Sequence, residues 1–319
     1  MQSILFSLIL SVPALFGADP ALLNLVMPEA RVVAGIDVER ARDSFLGRKI
    51  IAEMDPAKSA DFGKFLTATG FDPRRDLREI LFAASDAKVT GKNSPGLVLL
   101  RGSFDVSRIN GFLTTTTGVT SELVGGVSLY AKTGTKEDTG FALLDSSLAI
   151  AGHKNMVRAA LLRRSANGAA LGGDTYAKAQ TMSRANDIWL VTSMPVSELS
   201  TAIPGGKDAA PGMMNGEAFK GIEQAAMGIR FATEVMELTA ETLSRTEKDA
   251  TGIADVVRFL STMVQMQREK PEVKALATAL DQMKLTTDAR TTKLSISLPV
   301  AEMEKLMNQP KKAAAPKKI

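Results

Sequence analysis

Leu148-Ala-Ile-Ala-Gly-His-Lys-Asn-Met-Val-Arg-Ala-Ala-Leu161 and Leu294-Ser-Ile-Ser-Leu-Pro-Val-Ala-Glu-Met-Glu-Lys-Leu-Met307 decide how this chain is read. In each, apolar alternation gives a strand and passes at once into helical spacing. Leu148 matches Leu294, Ile150 matches Ile296, Val157 matches Met303 and Leu161 matches Met307, all at an offset of 146. Ile109-Asn-Gly-Phe-Leu-Thr-Thr115 aligns with Val256-Val-Arg-Phe-Leu-Ser-Thr262 at 147, and Leu77-Arg-Glu79 with Ile222-Glu-Gln224 at 145. Three separated pairs whose offsets agree to within two residues point to an internal duplication.

Each copy then opens with a strand (31–37 and 187–193) followed by a helix (38–53 and 195–201), with a further helix over 56–69 in the first. Asp55-Pro56 and Asp72-Pro73 are helix starts, the Asp accepting from free N–H groups and the Pro preset for the first helical position. Strands are expected at 78–85 and 97–104, and at 226–232 and 234–243. Helices begin at Asp105 and near Asp249. Strands follow at 127–132, 139–144 and 147–151, and at 284–289 and 292–298, with helices at 154–165 and 299–308. Several strands succeed one another without a helix between them, so the pairing is mainly antiparallel. The fold class is α+β: two related units with mainly antiparallel sheets, helices packed on one sheet face. The units are 19–165 and 187–308, joined by a linker at 166–186 whose seam, Ser165–Gly173, is rich in Gly and Ala.

The ends carry a different kind of signal. Met1 to Ala18 holds an apolar run, Ile4 to Phe16, of signal-peptide length and too short to span a bilayer as a helix. Small residues Ala14, Gly17 and Ala18 follow it. Residues 1–18 therefore read as a signal peptide and the protein as exported, periplasmic or extracellular. At the other end, 309–319 reads as a basic disordered tail. Lys311, Lys312, Lys317 and Lys318 equal the whole excess of 39 basic over 35 acidic residues. The body is neutral, and any attraction to anionic surfaces belongs to that tail.

Composition narrows the chemistry. Hydrophobic residues make up 45% and charged residues 23%, a globular balance that excludes global disorder. There are no cysteines, so disulfides, thiolate metal sites and a Cys nucleophile are excluded. The single histidine, His153, sits at a strand–helix junction whose counterpart in the second copy is Pro299, and no nucleophile pattern stands beside it. Gly91-Lys-Asn-Ser-Pro-Gly96 lacks P-loop spacing and reads as a hairpin loop. Basic residues are not interleaved with exposed aromatics as single-strand binders require. Arg74, Arg75, Asp76, Arg78 and Glu79 read as salt bridges around a helix end. Glu237 and Glu241 alternate with Met236, Leu238 and Ala240 in a half-buried strand.

Fifteen methionines raise the question of a soft binding surface. Ile253, Val257, Leu260, Met263 and Val264 form one helical stripe, the pattern of core packing. Met213 and Met214 lie instead in a long Gly/Pro-broken loop, where they either pin the loop to the body or contact a partner or ligand.

The stretch Leu22-Leu-Asn-Leu-Val-Met-Pro-Glu-Ala-Arg-Val-Val-Ala-Gly-Ile-Asp-Val-Glu-Arg-Ala-Arg42 resembles an uncharacterised family of secreted hypothetical proteins of acidobacterial type. The resemblance implies export and no activity. The sequence as a whole implies no cofactor, no catalytic set and no specific nucleic-acid partner. It fits a non-enzymatic binding or envelope-associated interaction protein, whose partner is a protein or an apolar ligand. Two alternatives stand beside it: a carrier of an apolar ligand between the two units, and a carboxylate-dependent hydrolase.

Overall fold

The computed structural model describes residues 18–45, 47–48, 60–86, 96–132, 139–195, 198 and 217–302. The apolar N-terminal stretch before Ala18, the lysines Lys311, Lys312, Lys317 and Lys318, and the pair Met213 and Met214 lie outside the described residues.

The first half runs α1 (Pro20–Leu23), β1 (Val32–Asp37), α2 (Val38–Ala41), α3 (Ala60–Thr69), α4 (Pro73–Asp76), β2 (Leu77–Ala84) and β3 (Gly96–Gly102). It continues through α5 (Val106–Thr115), β4 (Val119–Val124), β5 (Val127–Lys132), β6 (Thr139–Leu143), β7 (Leu148–His153) and α6 (Lys154–Ser165). The second half runs α7 (Gly173–Ala185), β8 (Ile188–Thr192), α8 (Glu217–Lys220), β9 (Ile222–Phe231) and β10 (Val235–Ser244). It closes with α9 (Glu247–Gln265), α10 (Pro271–Leu280), β11 (Lys284–Asp288) and β12 (Thr291–Pro299).

Among the described residues, twelve strands join one antiparallel sheet in the order β11-β12-β10-β9-β8-β1-β2-β3-β7-β6-β5-β4. Read outward from the central β1–β8 pair, both halves follow one rule: first strand, second, third, then last and next to last. β1 and β8 meet with Val33 opposite Val191 and Gly35 opposite Trp189. The fold is α+β, as the alternation implies.

Helices cover both faces of the sheet rather than the single face expected. Leu99 and Ile150 point into a cluster with Leu22, Leu23, Val26, Met27, Val157, Leu161 and Met182, which come from α1 and its exit, α6 and α7. Their neighbours Leu100 and Ala149 point the other way, into Phe65, Phe71, Phe104, Ile109 and Leu113. Strands buried on both faces lose their alternation: Leu148, Ala149 and Ile150 are buried in succession. On the second half, Met236 and Leu298 meet Ala279 of α10 on the same side as α3 and α5.

The segment read as a linker, 166–186, contains α7 instead of a loop. Its buried side chains are small or flexible, Ala179, Met182 and Ser183, so the apolar stripe that announces a helix is faint. β4 and α10 are further elements absent from the sequence expectation. Residue 198 is helical and residues 300–302 begin a helix after β12, while most of the expected helices 195–201 and 299–308 lie outside the described residues.

Gly35 is required by its cross-strand partner. A Cβ at Gly35 would lie 2.5 Å from the indole of Trp189. The absent side chain lets the ring lie flat over the central strand pair.

Candidate functional site

Among the described residues two surfaces stand out: a charged cleft at one end of the central strands, and an apolar stripe on α9.

The cleft has a volume of about 490 Å³ and is walled by the start of α1, the ends of β1, β2 and β3, and one face of α7. Asp19 shapes its floor. Its side chain accepts from the N–H of Ala21 at 2.8 Å, capping α1, where Pro20 takes the first helical position. Its other carboxylate oxygen accepts an ion pair from Arg101 at 3.0 Å. At the end of β1, Asp37 caps α2 through the N–H of Arg40 at 2.9 Å. The Arg40 guanidinium lies 2.7 Å from Asp37 and 3.1 Å from the buried Asp187. Arg40 also donates to the carbonyls of Ser183 and Asn186, fixing the end of α7 against β1.

These pairings leave Glu79 out. On β2, Glu79 shares the face of Leu81 and Ala83, so its carboxyl turns toward the α1–α7 layer. It accepts one hydrogen bond, from the N–H of Asp19 at 3.3 Å. Burial pushes its carboxyl up to about 7, the nearby charges of Asp37 and Asp19 add to the rise, and the Asp19 N–H and Arg101 oppose it. The expectation that Glu79 belongs to a knot of salt bridges with Arg74, Arg75, Asp76 and Arg78 is therefore corrected. Arg75 does pair with Asp76, at 2.6 Å, and the hydrogen-bonded guanidinium holds that carboxyl below its usual value. Glu79, three residues later on a strand, faces a different environment. Asp37 and Asp19, by contrast, are each paired with an arginine, Arg40 and Arg101.

The stripe on α9 differs in kind. Thr246 caps the helix, accepting from the N–H of Asp249 at 3.1 Å. Ile253 and Ala254 are buried beneath it. Phe259 and Met263 of α9 and Met266 at its C-cap, spaced by four and three residues, lie on a neighbouring face and are 60%, 42% and 82% exposed. Leu276 of α10 is also exposed. Met263, expected in the core stripe, lies outside it. Ion pairs flank the stripe, Arg258 to Asp255 at 2.8 Å and Arg268 to Asp281 at 3.0 Å.

Other residues singled out in the sequence take structural places. His153 closes β7 and precedes α6 without capping it, and Pro299 closes β12 in the same manner. Glu241 pairs with Lys178 of α7 and, at 3.6 Å, with Lys293, so it ties β10 to α7. Glu237 faces Arg230 across the β9–β10 hairpin at 3.9 Å. Among the described residues no cluster of three His, Asp or Glu side chains is placed to hold a metal ion, and no helix is long and apolar enough to cross a membrane. The cleft was missed in the sequence, although Asp19-Pro20 repeats the helix-start signature recognised at Asp72-Pro73.

No family model and no curated protein matches the chain. Among solved structures it is similar to TP0453. In crystal form III of that protein the match has 11% identity, covers 89% of this chain and 96% of the other, and gives a TM-score of 0.51. In crystal form IV it has 11% identity, covers 90% and 96%, and gives 0.52. At that identity the likeness concerns the fold: nearly the whole of each chain follows one architecture.

Proposed function

We propose that this protein is exported and acts as a non-enzymatic interaction protein of the cell envelope, gripping a partner protein through the apolar stripe of α9. The observation that carries the reading is the exposure of Phe259, Met263 and Met266 on one helical face. Three large flexible or aromatic side chains left in water on one face support an interaction site there. The rim supports a protein partner over a lipid surface. Its charges are of both signs and already paired, Arg258 with Asp255 and Arg268 with Asp281, whereas an interfacial membrane helix presents a basic polar face. Export is supported by the apolar run and small residues of 1–18.

Envelope fractions of the host provide the test. The wild-type protein is expected to migrate in a complex larger than the chain alone, and Phe259→Glu with Met266→Glu is expected to migrate as the free chain. Co-migration of the double variant with the same complex would overturn the assignment to α9.

A second reading, carriage of a small apolar ligand, draws on one specific feature. An open cleft of about 440 Å³ lies where the two halves meet, with Phe45 from the first half and Phe231, Met236 and Val300 from the second beside the charged Arg40, Asp43 and Arg48. Saturable enhancement of a solvatochromic dye, lost in Met236→Glu, would favour this reading.

A further inference from the structure

Glu79 is a carboxylate in search of a cation. It lies in the cleft on the core face of β2, and the ion pairs around it are already formed between other residues: Asp19 with Arg101, and Asp37 and Asp187 with Arg40. Of the remaining arginines that line the cleft, Arg78 on β2 and Arg184 on α7, neither reaches it within ion-pair distance. The group that does touch it is the backbone nitrogen of Asp19, 3.3 Å from Oε2. Asp19 is also the residue that would follow a leader ending at Ala18.

We propose that Asp19 is the first residue of the mature chain and that its α-ammonium group is the counter-ion of Glu79. This rests on the export reading. The step is hydrolysis of the Ala18–Asp19 peptide bond by a leader peptidase. Water adds across the bond, the carboxylate departs with the leader, and the freed amine takes up a proton. An α-amino group ordinarily titrates at about 7.7–8.0, so at neutral pH it is mainly charged. A neutral amide N–H facing a half-buried carboxyl then becomes a charge-assisted hydrogen bond at the same place.

The surroundings fit an amine at this position. Asp19 is held by its own side chain, which caps α1 and pairs with Arg101, so the nitrogen is fixed against Glu79 without further adjustment. Before cleavage the site is sealed. Ala18 is 4% exposed and its N–H donates to Ser183 Oγ at 2.5 Å within the α7 layer. A bond placed so deep is out of a peptidase's reach in the folded chain, so cleavage precedes folding. Completing the cleft then becomes a consequence of processing.

Trp189, the sole tryptophan, lines the same cleft, and its fluorescence can report the titration of Glu79. Two chains are compared, one from Met1 and one beginning at Asp19 with a free amine, each with Glu79 and with Glu79→Gln. The Glu79-dependent midpoint is expected to fall by about one unit or more in the chain from Asp19, the effect of an opposite charge at close range. In thermal melts at pH 7, Glu79→Gln is expected to lower the melting temperature of the chain from Asp19 and to raise or preserve that of the chain from Met1. Equal midpoints, or the same response to Glu79→Gln in both chains, would overturn the proposal. So would a chain from Asp19 that fails to fold while the chain from Met1 folds. The mass of the protein from its host tests export separately: a start at Met1 would remove that reading, whereas the comparison of the two chains tests the Glu79 contact itself.

Discussion

Phe112 and Phe259 stand on the helices that lead from the third strand of each half to its outer strands, and they meet opposite environments. Phe112 on α5 is covered by Phe65 of α3, edge against face with ring centroids 5.6 Å apart. Phe259 on α9 is 60% exposed. One position is spent on packing and the other is turned to water, so the same residue type serves two purposes on one plan. Phe112→Ala is expected to destabilise the fold by about 2–3 kcal/mol, from lost burial and the residual cavity. Phe259→Ala should stay within about 0.5 kcal/mol of wild type, as exposed substitutions do. Urea denaturation of the two variants measures both.

Gly35 lies beneath the ring of Trp189, where a Cβ would approach to 2.5 Å. Gly35→Ala is expected to cost about 1–3 kcal/mol through overpacking of the central strand pair. Trp189→Leu in the same chain should recover part of that loss. A double-mutant cycle by chemical denaturation checks the coupling, and additive effects would mean that the ring relaxes freely.

Glu79 gives the fold a pH dependence of defined sign. In the chain from Met1, burial holds the folded-state value at about 7 against an ordinary 4.5. Between those values the folded chain binds more protons than the unfolded one, so stability falls as pH rises through this window and stays reduced above it. Glu79→Gln in that chain should therefore be stabilising at pH 8, by on the order of 1 kcal/mol since the partly exposed group is screened, and near neutral at pH 4. Thermal melts at the two pH values show the difference.

Much of the strand plan was legible because alternation survives in the sequence. β9–β10 and β11–β12 were expected within a few residues of where they stand. α7 was hidden because its buried face is made of Ala179, Met182 and Ser183, which contribute little apolar contrast. The exposed stripe on α9 was hidden for the opposite reason. Its apolar residues occupy two adjacent faces, and only the position of the sheet decides that Ile253 is buried while Met263 is not. Glu79 could not be singled out because its isolation depends on Asp19 taking Arg101 from 82 positions away in the chain.

The charge of the body predicts how the tail behaves. The four tail lysines equal the formal excess of +4, so deleting 311–319 should abolish retention on a cation exchanger near neutral pH and leave thermal stability unchanged. Raising the salt should release the full-length chain, since exposed charges are screened within about 10 Å at 0.1 M ionic strength.

A photo-crosslinking residue placed at Met266, the most exposed position of the α9 stripe, tests the central claim most directly when the chain is expressed in its own host. The account predicts a discrete adduct with one envelope protein, lost when Phe259→Glu is added and absent when the crosslinker stands at Glu223 on β9. Discrete adducts of equal yield from both positions, or only the free chain from Met266, would contradict it.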